Sequence, residues 1–396
     1  MAYFRNSTVN LLNLHYGIFA VMMTGGGAFY CVYLYKAGVS LPMVLVAMAA
    51  ILAVRFAVRP AVVPLAIRLG LRRMVMLGAV VIGLQFPVVA LVHGTGWILF
   101  VLIVISAVGD AIYWSCYHAY FAALGDSEHR GHQVGAREAL VAIVGIVSPL
   151  ATGWLLVKFG AMTAFGATAV VMFASALPLL WTSDVAVAPH VDGAWRAALP
   201  GIKLFMADGW TQAGIVFVWQ LALFVTLGES FLRFGGALAI AALVGAVAGL
   251  FLGRHIDAGH GRSAVVIAIG AMTIVVLSRA ASAGHETFAI VANALVAIST
   301  ALYTPTLMTA VYNQAKRSPC TLRFHVATEG GWDAGAAGGS LAAAAMLWLG
   351  LPMWSALLLP LFGLLAAFAQ LRGYYAENPV AELAVADAIG GAPERQ

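Results

Sequence analysis

Asp110 lies near the centre of residues 97–123, a run in which no other Asp, Glu, Lys or Arg occurs. A stretch that long and that apolar reads as a membrane-crossing helix. A carboxylate at the bilayer midplane costs about 3 kcal/mol or more, so it faces a cavity, pairs with a cation or carries a proton. Trp114, Tyr117, His118 and Phe121 follow it at spacings that keep one helical stripe, and Tyr113 and Tyr120 flank that stripe. A titratable carboxylate, an imidazole about 12 Å further along the axis and a column of aromatic rings suit a pocket for a proton and an amphipathic or aromatic ligand. Plainer readings stay open beside this one: a structural hydrogen bond for Asp110, a carbonyl-bonded core histidine for His118, ordinary packing for the rings.

The composition around these residues says what must position them. Of 396 residues, 62% are hydrophobic and 9% charged, against about 25% charged in a soluble domain. An ordinary soluble enzyme, a disordered chain and a nucleic-acid binder are excluded. The net charge of +5 comes from basic residues between apolar runs, where the membrane surface accounts for them. Cys31, Cys116 and Cys320 are widely spaced and form no CxxC pair, so no disulfide framework, metal site or cofactor is expected. Arg5 ahead of the apolar stretch from Leu11 resembles the start of a signal peptide. The apolar residues run on to Tyr35, however, which favours an uncleaved first span.

Twelve spans are expected, at residues 11–35, 39–60, 74–93, 97–123, 138–157, 162–181, 209–227, 234–253, 263–279, 287–312, 333–349 and 352–371. The polar stretch 182–208 reads as a linker between a six-helix bundle (1–181) and a second one (209–371), with a polar tail at 372–396. Of the 21 Lys and Arg, fifteen fall on the side of the N-terminus and only Lys36, Lys158, Arg233 and Arg279 on the other. Arg55 and Arg59 lie near the end of the second span, from where they can snorkel. This bias puts both termini in the cytoplasm of a multi-pass protein in a bacterial-type inner membrane. A shift of about 190 residues lays Tyr113 over Tyr303, Val134 over Val326 and Glu138 near Glu329, which implies two parallel repeats. The expected fold class is an all-α polytopic membrane protein, with twelve transmembrane helices as two six-helix parallel pseudo-repeats.

Gly253 to Arg262 (GRHIDAGHGR) resembles the G-x-x-x-D-x-x-G-R loop of the major facilitator superfamily, with one extra residue, and gives Gly253, Asp257 and Arg262 conformational roles. The first-half counterpart, Ile67 to Arg73, keeps Arg68, Gly70, Arg72 and Arg73. It has Ile67 where the family places its Asp and Val63 where it places its Gly, so a latch there must be built differently. The resemblance implies that the first, fourth, seventh and tenth spans line a central cavity. The first offers His15, Thr24 and the run Gly25-Gly26-Gly27. The expected substrate- and proton-binding set is then Asp110, Tyr113, Trp114, Tyr117 and His118 with Gln212, Trp219, Gln220, Asn293, Thr300, Tyr303 and Thr304. Pro305 is an expected kink.

Arg137 and Glu138 begin the fifth span, and Glu329 and Asp333 the eleventh. The helix dipole accounts for the acidic groups there, with a gating role as the alternative. His129, His132 and His325 flank the same loops. Small residues recur every four positions at Gly245, Gly249 and Gly253, at Gly145, Pro149 and Gly153, and at Gly331, Gly335 and Gly339. Such columns permit close helix contact, and the resemblance implies that they slide between the halves.

The function expected from all this is secondary transport of a small organic solute by alternating access, coupled to protons, by a monomer in the bilayer. No G-x-x-x-x-G-K-[ST] loop is present to bind ATP. A lipid-modifying membrane enzyme would need H-E-x-x-H, G-x-S-x-G or paired carboxylates in one span, and none occurs. A passive scaffold or receptor gains nothing from a carboxylate at the midplane.

Overall fold

A computed structural model describes residues 7–124, 130–252 and 261–377. Among them the chain forms twelve helical rods. The first six are α1 (Ser7–Lys36), α2 (Leu41–Leu69), α3 (Leu71–Ala90), α4 (Trp97–Leu124), α5 (Arg130–Lys158) and α6 (Gly160–Trp181). The second six are α7 (Leu199–Thr226), α8 (Phe231–Leu252), α9 (Gly261–Ala281), α10 (Glu286–Arg317), α11 (Thr321–Trp348) and α12 (Met353–Glu377). Proline in the first turn starts α2 and α7. Gly38 and Gly350 stop α1 and α11 with φ of 90° and 78°, which only glycine adopts freely. Eleven rods are long and apolar enough to cross a bilayer. The exception is α11, whose first half carries Arg323, Glu329 and Asp333.

The packing repeats. Rods α1 and α5, α1 and α6, α2 and α4, α3 and α4, and α3 and α6 are in contact, and each pair recurs six rods later in the second half. Rod α7 contains a wide π turn at Ala213–Val218, and α1 kinks at Met23–Gly27, where Gly25 leaves helical geometry (φ −88°, ψ −112°). These are equivalent positions of the two repeats. Large apolar side chains such as Ile143, Val170, Leu243 and Phe362 face outward, as a lipid-facing surface requires.

The halves meet along α5 with α8 and along α2 with α11. At the first seam, a Cβ on Gly153 would stand 2.7 Å from the Phe231 carbonyl and one on Gly235 2.5 Å from the Pro149 carbonyl. The column on α5 therefore does cross between halves. Gly245 of the expected α8 column does not: it faces Ala297 of α10, 3.0 Å from where its Cβ would be. Gly235 sits about 80° round the helix from Gly245, and it is that flank which is turned to α5. Gly331, Gly335 and Gly339 likewise pack on Ile202, Met206 and Trp210 of α7, inside their own half. The surroundings of Gly249 and the side chains of Arg137, Glu138 and His132 are outside the described set, and Gly253, Asp257 and His129 lie outside the described residues.

Two polar features differ from the sequence expectation. Rod α7 starts at Leu199, so Asp208, at the end of the expected linker, belongs to a span. The first-half latch takes its Asp from elsewhere in the chain. Asp184, just beyond α6, accepts the Arg72 backbone N–H at 3.0 Å, and the Val185 carbonyl accepts that of Leu71 at 3.0 Å. A side chain at Gly70 would strike the Asp184 carboxylate. Arg72 Nη1 adds a bond to the Thr182 carbonyl at 2.9 Å. The orphan N–H groups of Leu71 and Arg72 that open α3 are thus capped by two residues more than a hundred positions away. Arg68 is exposed. In the second half, Arg262 Nη2 reaches the Ala376 carbonyl of α12 at 3.5 Å.

Candidate functional site

A cavity of about 650 Å³ lies between the halves. It takes lining from α1, α2, α3, α4, α7, α10 and α11. Asp110, Trp114, Tyr117 and His118 line it from α4, Gln212 and Gln220 from α7, and Thr304 from α10. Seven of the twelve expected binding residues therefore share one wall system. Glu329, expected as a conformational residue, lines it too. Residues not singled out beforehand complete the wall: Arg55, Gln85, Ser106, Tyr16, Tyr312 and Trp332.

The other five expected residues do not line this cavity. Tyr113 is fully buried, lies 2.9 Å from His15 Nε2 and stacks on Phe19 at 4.2 Å. His15 Nδ1 meets the Ser175 carbonyl at 2.6 Å, so that nitrogen carries the proton and Nε2 accepts from Tyr113. Tyr303 donates to Asp208 at 3.0 Å. Trp219 donates to Asn293 Oδ1 at 2.8 Å, and Asn293 donates to the Ala237 carbonyl at 3.0 Å. Thr300 bonds the Val296 carbonyl of its own helix at 2.9 Å. On a helix, one residue is a 100° rotation. Tyr113 and Trp114 thus face different neighbours although both lie close to the Asp110 stripe.

The strongest polar feature joins the halves. Arg55 and Arg59 of α2 do not snorkel; both are buried. Arg55 Nε and Nη2 bond Asp333 Oδ1, and Arg59 Nε bonds Oδ2 of the same carboxylate. The Asp333 side chain is 0% exposed. Arg59 Nη1 also donates to Ser115 of α4 at 2.8 Å, and its Nη2 lies 3.4 Å from Glu329. Arg55 Nη1 lies 3.6 Å from Asp110 and Nη2 3.9 Å from Glu329, and its guanidinium sits over Trp332 at 5.1 Å. Three carboxylates and two guanidiniums thus form one network over α2, α4 and α11. Charged groups at this depth persist only when paired in this way.

A second carboxylate sits in α7. Asp208 is 6% exposed and accepts from Tyr303, from Trp332 Nε1 at 3.0 Å and from Gln212 at 3.3 Å. It thereby fixes two cavity-lining side chains. The apolar run that marks α7 in the sequence begins just after it, so the pattern concealed it. Behind α7, Arg279 of α9 is buried, donates to the Ile215 carbonyl in the π turn at 2.7 Å and lies over Trp219 at 4.5 Å.

His118 of α4 and His325 of α11 stack across the halves, centroids 5.8 Å apart. At the face away from the termini, Glu229 in the α7–α8 turn accepts from Tyr35 at 2.9 Å and Lys36 at 3.0 Å at the end of α1. The Lys36 ammonium and the Tyr35 hydroxyl hold the Glu229 carboxyl below its ordinary value.

A family model described as Major Facilitator Superfamily matches residues 14–322. No curated protein sequence matches this one. Among the solved structures that share its fold are two at 12% identity. One, of an auto-inhibited POT family peptide transporter, has a TM-score of 0.67 with 98% of each chain covered. The other, of a POT family transporter in complex with 5-aminolevulinic acid, has a TM-score of 0.70 with 94% of this chain and 96% of that one covered.

Proposed function

The chain belongs to the Major Facilitator Superfamily, and on that premise we propose that it moves a small organic solute through the cavity between its halves by proton-coupled alternating access. It is a secondary transporter, and the family sets it apart from enzymes. The observation that carries the finer reading is the continuous path from the cavity to the seam. Asp110 faces the cavity with 28% of its side chain exposed and meets Arg55, and Arg55 holds Asp333 across the two halves.

The chemistry follows from charge. With all three carboxylates ionised, the network holds one more negative than positive charge. A proton on Asp110 or Glu329 removes that excess and leaves Arg55 free to settle fully on Asp333. Loss of the proton draws Arg55 back toward the cavity and weakens the seam between α2 and α11. Proton occupancy and the approach of the halves are then one equilibrium, which is what coupling requires. The same reading takes the first bundle to end near residue 181 and the second to run from α7 at Leu199 to the end of α12 at Glu377, past the expected tail boundary at 372. It also takes the protein as a monomer in a bacterial-type inner membrane, with its termini in the cytoplasm.

The similar structures suggest the first probes. Proteoliposomes loaded with a pH-sensitive dye would be given L-alanyl-L-alanine or 5-aminolevulinic acid on one side, alongside a panel of small amines and acids. A solute gradient is expected to drive a change of internal pH, and Asp110→Asn is expected to abolish that change. Solute entry at the same rate with and without an imposed pH gradient, and no pH response, would refute proton coupling.

A further inference from the structure

We propose that the solute is a monovalent organic cation with an aromatic or branched apolar body, an inference that rests on the transport reading above. The argument begins with which charges the cavity sees. Asp333 is fully buried and takes the Nε of both guanidiniums. Arg59 is 2% exposed and does not line the cavity. Arg55 does line it, but 7% of its side chain is exposed and its closest bonds go to Asp333. Asp110 and Glu329 line it with 28% and 12% exposed, at the longer distances of 3.6 and 3.9 Å from Arg55. The wall thus shows two carboxylates and the flank of a guanidinium committed elsewhere.

A carboxylate-bearing solute would find no free cation there. Among the described residues, no Lys lines the cavity and Arg55 is its single Arg. A positively charged solute meets the opposite situation: with the proton off, the network has one carboxylate charge in excess of its guanidiniums, and the solute's charge takes the proton's place, leaving Arg55 on Asp333. The aromatic lining points the same way. Trp114 and Tyr117 stand one and two turns from Asp110 on α4, and Tyr16 of α1 stacks on Tyr117 at 5.2 Å. Aromatic faces beside a carboxylate recognise ammonium groups, including quaternary ones that offer no hydrogen bond. The apolar remainder, including Met23, Met48, Ile51 and Phe217, accommodates the body of such a molecule.

The test uses one aromatic body with different charges: benzyltrimethylammonium, phenylalanine, phenylacetate and benzyl alcohol. Binding is measured by scintillation proximity on the purified full chain, and entry in proteoliposomes. The expected result is that benzyltrimethylammonium binds and enters at least tenfold better than the other three. Asp110→Asn and Glu329→Gln should each weaken its binding at least fivefold. The ranking by wild type needs no variant, and Glu329→Gln carries the mutational arm if Asp110→Asn does not fold. If phenylalanine or phenylacetate binds and enters as well as the cation, the cation proposal is overturned and the transport reading stands. If no probe binds and none enters, the cation proposal is overturned, and the transport reading is decided by the pH-response assay above.

Discussion

Replacing Arg59 by Met removes one of the two cations on Asp333 and nearly fills the space it leaves. The network of Asp110, Glu329, Asp333, Arg55 and Arg59 then carries two excess negative charges in place of one, with Asp333 fully buried. Breaking a buried ion pair by removing one partner costs about 3–5 kcal/mol. Here the pair spans α2 and α11, so the loss falls on the arrangement in which those rods are close. About 3 kcal/mol changes the ratio of closed to separated seams more than a hundredfold, at about 1.4 kcal/mol per tenfold. The charge logic also predicts a rescue. Arg59→Met with Asp333→Asn restores one excess charge, so the double variant should recover by about 2–3 kcal/mol relative to the sum of the single ones. Spin labels at exposed Arg73 and Lys316, near the termini face, and at Trp97 and Leu349 on the opposite face read both seams by electron–electron distance. Arg59→Met should lengthen the first distance, and the double variant should shorten it again. Unchanged distances in Arg59→Met, with only a lower melting temperature, would make the network a static strut and refute the coupling argument.

Three further outcomes are expected. The Lys36 and Tyr35 bonds hold the Glu229 carboxyl below its ordinary value, so this tie between α1 and the α7–α8 turn contributes fully above the usual carboxylate range and is lost as pH falls through the lowered value; the Trp97–Leu349 distance should lengthen in acid, less so in high salt, and not at all in Glu229→Gln. Asp208→Ala leaves the Tyr303 hydroxyl and the Trp332 N–H without their acceptor, at about 1–3 kcal/mol each, read as a lower melting temperature and a shifted tryptophan emission. Gly153→Ala drives a methyl to 2.7 Å from the Phe231 carbonyl at the α5–α8 seam, an overpacking of about 1–3 kcal/mol. It should slow transport, whereas Gly236→Ala, with nothing within 4 Å of its Cβ, should leave the rate unchanged.

The rods were legible because each is a long run of apolar residues, and the cavity stripe because Asp110 stands alone in one such run. The network around it was not legible. Arg55 and Arg59 lie where a long basic side chain can reach a membrane surface, and their partner Asp333 is more than 270 residues away. No helical spacing exposes a pair made across two bundles. Asp333 and Glu329 were equally well explained by the helix dipole, since α11 was expected to start at 333. In the structure α11 starts at Thr321, which puts both carboxylates in its body and removes that explanation. Asp208 was hidden by the reverse effect: Pro200, Gly201 and Lys203, with Asp208 itself, made the beginning of α7 look like linker. Tyr113, Tyr303, Asn293, Thr300 and Trp219 have the residue types of a binding wall, yet they bind the bundles internally. Residue type cannot distinguish the two uses when neighbouring positions on a helix differ by only 100°.

The π turn of α7 has a mechanical consequence. The wide turn holds one residue more than an α turn would. Converting it to α geometry would twist everything beyond it by about 100°, while the other end of the rod stayed in place. Gln220 and the rest of α7 beyond Val218 lie on that far side. The rod is therefore threaded like a screw with one free end, and Arg279, seated on the Ile215 carbonyl, acts as its lock nut. Turning the screw would present a different row of side chains to the solute, so the chemistry of the wall would be reset by rotation within a rod as well as by the swing of the halves.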